Sequence, residues 1–334
     1  MILNAGRVRP ALIWEGYFLK SYILRRVLQA VPLLFFISIV SFALIKLSPG
    51  DPVLSFVTPN MDPEDVERIR NSMGLNEPVY VQYFIWLKNV LMGDFGYSLV
   101  NHRPVLTLIA ERIPATIGLM GSALVLSLIV AVPLSLYAGS RKNSAVDRIL
   151  SLFSYIGISI PAFWFGILLI FWFSFKMHWL PSMGMRTVGV NSAWDIMKHG
   201  ILPVIVLSFI NISMYMRYIR SSTISELEED YVQIQYAYGS TKNTILWRHV
   251  FRNVLLPVVT ILGMSLPDLI AGAFITESVF SWPGMGSLGI TAVTGLDYPV
   301  IMGITMLTSV MLVIGNLVAD ILYGVVDPRI KTAG

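Results

Sequence analysis

The chain has 334 residues, 55% of them hydrophobic and 13% charged, with a formal net charge of +4 and no cysteine. A soluble domain carries about 25% charged residues, so the composition excludes an ordinary soluble enzyme and sets the chain among membrane proteins. Without cysteine there is no disulfide framework, thiolate metal site or thiol nucleophile.

In chain order, six apolar runs are long enough to cross about 30 Å of hydrocarbon as helices: Val27–Leu47, Ile113–Ala138, Ile149–Phe175, Ile201–Ile219, Val254–Ile275 and Val300–Val326. The predicted fold is an all-α polytopic membrane protein with six transmembrane helices. Pro133, Pro161 and Pro267 lie inside these runs, which membrane helices tolerate where neighbours re-satisfy the freed backbone. The first run follows Lys20, Arg25 and Arg26, and Ser41-Phe42-Ala43 loosely fits a signal-cleavage site. At 21 residues the run exceeds the roughly 7–15 of a signal-peptide core, and that site lies within it, so a retained anchor helix is expected.

The segment between the first two runs, 48–112, carries its own helix signal. Asp62 stands as N-cap, Pro63 opens the helix, Glu64 and Asp65 fill the first turn, and Gly74 stops it. It reads either as a small cap over the first helices or as a landing surface for a delivery protein.

Basic residues set the orientation. Fifteen of the 24 fall in the N-terminus, the Ser140–Arg148 loop, the Arg217–Asn253 segment and the tail. The other nine lie in the alternate loops, five of them in the long loop. The positive-inside rule then puts both termini in the cytoplasm. Spread over four segments, this excess is topological, and no nucleic acid is expected as a partner.

After the fourth run, Ser225-Glu226-Leu227-Glu228 fits a capping box, and Glu226, Glu228, Glu229 and Asp230 suit the positive end of a helix dipole. Ile224, Leu227, Tyr231, Ile234 and Tyr238 recur at helical spacing, Gly239 permits a left-handed turn, and a second short helix with Lys242, Arg248 and Arg252 is expected before Pro257. A helix lying on lipid headgroups would carry basic residues. This one has four acids and no lysine or arginine between Ser221 and Thr241, which favours a protein partner.

The polar residues of the spans admit two readings each. Asp268, after Pro267, either lines a translocation path or sits hydrated at a broken helix end. Asn316 and Asp320, one turn apart, read first as partners of other helices, and Asn211 and Ser213 as interhelical hydrogen bonders. His102, His178, His199 and His249 lack metal-ligand spacing. There is neither a nucleophile elbow nor a Gly-x-x-x-x-Gly-Lys-Ser/Thr loop. No catalytic residue, metal or cofactor is therefore expected, and any ATPase would be a separate chain.

Ordered motifs from about Tyr22 to Lys331 carry a resemblance. They are Arg25-Arg26, Pro49-Gly50-Asp51-Pro52, Gln82-Tyr83, Gly93-Asp94-Phe95-Gly96-Tyr97-Ser98 and Glu111-Arg112-Ile113-Pro114-Ala115-Thr116. Ser159-Ile160-Pro161-Ala162-Phe163-Trp164, Glu277-Ser278-Val279-Phe280-Ser281-Trp282-Pro283-Gly284-Met285-Gly286, Asp297-Tyr298-Pro299 and Asp327-Pro328-Arg329 continue the series. The chain resembles a permease subunit of the dipeptide/oligopeptide branch of ABC importers, the one with a long external loop after helix one. Where the general importer signature has Glu-Ala-Ala before its glycine, this chain has Gln233-Ile234-Gln235, while Ala237 fits. Gly239 to Pro257 is 18 positions, similar to the peptide branch. The first 20 or so residues look like an extension outside the pattern.

The resemblance implies a type I importer permease forming half of a substrate pathway in a bacterial plasma membrane. Its partners would be a second permease, two ATP-binding subunits, an extracytoplasmic substrate-binding protein and the lipid bilayer. Peptide is the expected cargo, with oligosaccharide, nickel complexes or glutathione as alternatives. It implies a cytoplasmic segment 1–26, a first helix 27–47, a cap 48–112, a five-helix core 113–326 with a coupling loop at 220–253, and a cytoplasmic tail 327–334. Docking would fall to Leu227, Glu228, Glu229, Tyr231, Ala237, Gly239 and Pro257, and the path to Asp268 and Asn211. A self-sufficient secondary transporter would show internal repeats and ionisable groups at the midplane; no repeat is evident, and only Asp268 is a candidate.

Overall fold

The computed structural model describes residues 11–47, 53, 57, 61–72, 74–265 and 267–326. Pro49-Gly50-Asp51-Pro52, Asp327-Pro328-Arg329, the basic tail and residues 1–10 lie outside the described residues, as do the side chains of Pro257 and Asp320. Within them the regular structure is helical. α1 (Ala11–Leu47) is followed by α2 (Pro63–Ser72), α3 (Val79–Leu91), α4 (Val105–Gly139), α5 (Ala145–Ser159) and α6 (Ala162–Leu169), which runs on into a π-helical stretch, Ile170–Lys176. Then come α7 (Ala193–Leu227), α8 (Asp230–Ala237), and α9 (Lys242–Thr244) with a π-helical turn, Ile245–Val250, leading into α10 (Phe251–Ser265). α11 (Asp268–Ala271), α12 (Phe274–Val279), α13 (Met285–Thr294) and α14 (Tyr298–Val326) complete the chain.

Among the described residues four stretches are long and apolar enough to cross a membrane: Leu28–Leu47, Val105–Gly139, Ala193–Leu227 and Tyr298–Val318. A fifth exists if Ala145–Ser159 and Ala162–Lys176, bent by 100°, form one span. The six expected spans are thus not confirmed as a count: two of the six runs are interrupted, and proline chemistry explains both breaks. Pro161 lacks an N–H and pushes the residue before it out of the helical region; Ile160 has φ −81° and ψ 124°. In the run Val254–Ile275, α10 stops at Ser265, Pro267 heads α11, and Gly272 at φ +81° ends it.

α4 and α7 form the spine. Ser208 Oγ donates to the Ala123 carbonyl across them at 3.2 Å, and Ser127 Oγ reaches the Ser208 carbonyl at 3.4 Å. Small residues let the backbones approach: a Cβ on Gly139 would come within 2.7 Å of Thr223 Cβ, and one on Gly157 of α5 within 2.7 Å of Ser213 Cβ. Ser213 packs against α5 but hydrogen-bonds its own helix, at the Phe209 carbonyl (2.8 Å), so the expected interhelical bond is not made.

α2 starts where the capping signal put it: Glu64 N donates to Asp62 Oδ1 at 3.1 Å, and Gly74 takes φ +65°. α3 lies on α1, with Tyr83 in a cluster with Phe42 and Met302 and its hydroxyl 2.8 Å from Ser38 Oγ. The Gly96-Tyr97-Ser98 turn is pinned to the head of α14: buried Asp297 accepts from Ser98 Oγ and, at 3.0 Å, from Leu99 N.

Candidate coupling site

α4 holds two polar sites apart. Thr116 and Gly139 are 23 residues distant, about 35 Å along a helix. Near Gly139 lie the end of α7, α8 and the start of α10; near Thr116 lie α11 to α13.

At the first end, α7 does not stop at Ser225. It runs through to Leu227, with Glu228 as its C-cap, so the capping-box expectation fails. An established span prolongs itself more readily than a new helix nucleates, and two more residues extend α7 before the chain turns. Glu229, extended at φ −72° and ψ 148°, makes the corner, and α8 begins at Asp230. The break shifts the predicted stripe. Ile234 and Tyr238 are exposed, and the buried residue of α8 is Val232, enclosed in a cluster with Met216, Ile219, Ile245, Leu246 and Val250. Gly239 turns at φ +79° in open space, and Thr241 Oγ1 caps the next helix through Thr244 N at 3.3 Å. That helix is not separate: α9, the π-turn and α10 are continuous from Lys242 to Ser265.

One carboxylate ties this end together. Glu226 Oε2 accepts from Tyr231 Oη at 2.8 Å and from Asn253 Nδ2 at 2.9 Å, joining α7, α8 and α10. Burial, then this bond to Glu226, pushes the Tyr231 hydroxyl above its ordinary range. Beneath, Asp147 at the start of α5 is buried and takes a bidentate grip from Arg220 of α7, Nε at 2.5 Å and Nη2 at 2.7 Å, with Asn143 N adding 2.9 Å. Lys142 reaches Glu228 at 3.1 Å.

The predicted docking residues therefore divide. Leu227 and Tyr231 are half-buried and fasten α8 to the bundle, whereas Glu228, Glu229, Ala237 and Gly239 are exposed beside Ile234 and Tyr238. α8 thus presents an acidic edge and an apolar edge, and is bolted at its back. Sequence reading missed Val232, Asn253 and the Asp147–Arg220 pair. Of the path residues, Asn211 is half-buried in α7 one turn before Tyr215, whose hydroxyl lies 3.2 Å from Ser265 Oγ; exposed Asp268 heads α11 just beyond. Asn316 is exposed on α14.

At the second end, Glu277 is fully buried on α12. Its Oε1 accepts from Thr116 Oγ1 (3.1 Å) and Ala273 N (3.3 Å), and its Oε2 from Ser287 N (3.0 Å). Thr116 Oγ1 in turn accepts from Met285 N at 2.7 Å, and Trp282 Nε1 donates to the Ala115 carbonyl at 3.0 Å. The Glu277–Gly286 motif is thus a lock between α4 and the α12–α13 turn. Its glycines are required by contact: a Cβ on Gly286 would sit 2.7 Å from Phe274 N, and one on Gly284 2.6 Å from Glu277 Cδ. Among the described residues no group of three or more histidines or acids could hold a metal ion.

Comparison with known proteins identifies the family. Residues 131–332 match the family described as binding-protein-dependent transport system inner membrane component, and residues 19–120 match its N-terminal family. The oligopeptide transport system permease protein AppB of Bacillus subtilis is 40% identical over 94% of this chain and 100% of its own length. The dipeptide permease DppB of Alkalihalophilus pseudofirmus is 32% identical, over 93% and 99%. The glutathione permease GsiC of Escherichia coli K12 is 35% identical over the same shares. The inward-facing methionine ABC transporter MetNI aligns with a TM-score of 0.54 over 66% of this chain and 97% of its own, at 14% identity, which shows a shared type I importer permease fold and no more. This chain is a member of the binding-protein-dependent transport system inner membrane component family, a permease embedded in the bacterial inner membrane.

Proposed function

We propose that this permease is one half of a peptide importer, paired with a second permease, and that two separate ATPase chains grip it at 225–253 on the cytoplasmic side. The single observation that carries the reading is α8, a folded element with exposed acids and apolar residues on one side and the Glu226–Tyr231–Asn253 tie on the other. Force applied to α8 reaches α7 and α10 through that carboxylate and through Val232. Nucleotide closure of the ATPases then shifts the spans between two access states, and cargo biases them only by differential affinity.

On this reading both termini are cytoplasmic, 48–112 is an extracytoplasmic cap facing a substrate-binding protein, 113–326 forms the core, and Asn211 and Asp268 border the path. ATP hydrolysis belongs to the partners, this chain having no phosphate-binding loop of its own. A peptide cargo follows from relatives named for oligopeptide, dipeptide and glutathione transport.

The test is the assembled importer in proteoliposomes, with its ATPases and binding protein. Charge reversal at Glu228 and Glu229 together is expected to abolish peptide-stimulated ATP hydrolysis while membrane insertion stays normal. Stimulation at the wild-type level would refute the docking assignment. Labelled dipeptide uptake, in competition with glutathione and oligosaccharide, reads the cargo class separately.

A further inference from the structure

A small open cavity lies between α4, α5 and α7 near the Asp147–Arg220 pair, lined on its polar side by Ser151, Ser154, Tyr155, Arg217 and Arg220. Arg220 is held in place there. Its Nε and Nη2 serve Asp147, and a guanidinium has five N–H donors in a fixed fork, so three further donors stay available in an oriented group. Asp147 offsets the charge of Arg220 from the buried side. Arg217, exposed and with no carboxylate partner among the described residues, adds positive charge at the mouth. The Ser151 and Tyr155 hydroxyls supply neutral donors, while Ser154 Oγ is spent on the Leu150 carbonyl at 3.0 Å.

On the orientation proposed above, the surroundings of this cavity fit a lipid boundary. Tyr137, Tyr155 and Tyr218 are exposed around it, with Arg141 over the Tyr137 ring at 4.4 Å and Arg217 over Tyr218 at 5.7 Å. Such pairing of aromatic and basic residues marks a membrane interface. On the cavity's side Ile158 of α5, one turn beyond Ser154 and Tyr155, and Met214 of α7, one turn before Arg217, are exposed apolar residues, a path for acyl chains. Basic pockets between membrane helices on the cytoplasmic side suit anionic head groups. We propose that this cavity binds the phosphodiester of an anionic phospholipid, with Arg217 and the outer N–H groups of Arg220 on its oxygens and the acyl chains along α5. The bound lipid would brace the α5–α7 contact that supports the coupling end, an effect separate from ATPase docking.

The experiment is native mass spectrometry of the assembled importer released from nanodiscs of equal parts phosphatidylglycerol and phosphatidylcholine. On this subunit, phosphatidylglycerol is expected to be retained about fivefold over phosphatidylcholine, the share one arginine at the surface contributes. Arg217→Gln is expected to bring the ratio near parity, and Arg217→Lys to keep most of it. Both act at an exposed side chain that holds no helix together. A ratio near one in the wild type, or an undiminished ratio in Arg217→Gln, overturns the proposal. Loss of the lipid on adding inorganic phosphate alone would make this a soluble-anion site and overturns it equally.

Discussion

Replacing Glu277 is the sharpest probe of the α4–α12–α13 lock. The carboxylate is fully buried and receives three hydrogen bonds, from Thr116 Oγ1, Ala273 N and Ser287 N. Thr116 cannot turn its hydroxyl elsewhere freely, because its oxygen already accepts from Met285 N. Glu277→Ala therefore orphans the buried Thr116 donor and two part-buried backbone donors, at up to about 1–3 kcal/mol each, and the loss is expected at about 3 kcal/mol. Glu277→Gln keeps the shape. Its oxygen can serve Thr116 and Ala273, but its amide then faces Ser287 N, so one donor is lost, at about 1–3 kcal/mol. Because the chain has no cysteine, opening of the lock can be read directly. Ala292→Cys places a thiol on the buried face of α13, in the cluster with Leu108, Ile109 and Leu288. Maleimide labelling of that thiol is expected to be slow in the wild-type background, faster by about tenfold or more in Glu277→Gln and fastest in Glu277→Ala, since about 1.4 kcal/mol is a factor of ten in an opening equilibrium. Equal labelling rates in all three backgrounds would show that the carboxylate does not hold α13, and the reasoning from orphaned donors would fail.

Two further outcomes follow from the same geometry. Gly286→Ala drives a Cβ into the Phe274 backbone and is expected to lower the melting temperature by an equivalent of about 1–3 kcal/mol, whereas Gly118→Ala, with nothing within 4 Å, should leave it unchanged or slightly raised. Arg220→Gln strands the buried Asp147 and is expected to cost about 2 kcal/mol, less than the 3–5 of a wholly buried pair because Arg220 is 30% exposed; adding Asp147→Asn should recover part of it in a double-mutant cycle of thermal stability.

Much of the fold was legible because bilayer physics writes it in length and periodicity. The apolar runs, the α2 cap at Asp62 and the stop at Gly74 each depend on a few consecutive residues. What was not legible depends on competition between neighbours. Ser225-Glu226-Leu227-Glu228 has the composition of a helix start, but α7 was already propagating through it, so the same residues became a helix end. Glu226, read as a dipole-friendly acid of a first turn, became the clamp on Tyr231 and Asn253. That role needs a contact 27 residues away, which periodicity cannot register. Val232 was overlooked for the same reason, since the stripe through Ile234 and Tyr238 assumed one unbroken helix and the corner at Glu229 rotates α8 relative to it.

The Glu277–Gly286 motif shows the opposite case. Its glycine spacing is visible in sequence as an irregularity within an apolar region, yet its meaning appears only when Thr116 is brought beside it from 161 positions away. A buried carboxylate satisfied by backbone N–H groups and one hydroxyl fixes geometry more than it adds stability, because its bonds replace those it would have made with water. Polar groups in apolar surroundings thus brace the bundle at both ends, Glu277 between α4 and the α12–α13 turn and Asp147 between α5 and α7. An access change that moves α4 against the α12–α13 turn, or α7 against α5, must keep or exchange these bonds. If they are kept, α4 moves with the α12–α13 turn and α5 with α7, and the bending is left to the proline breaks at Pro161 and Pro267, where the helices are already interrupted.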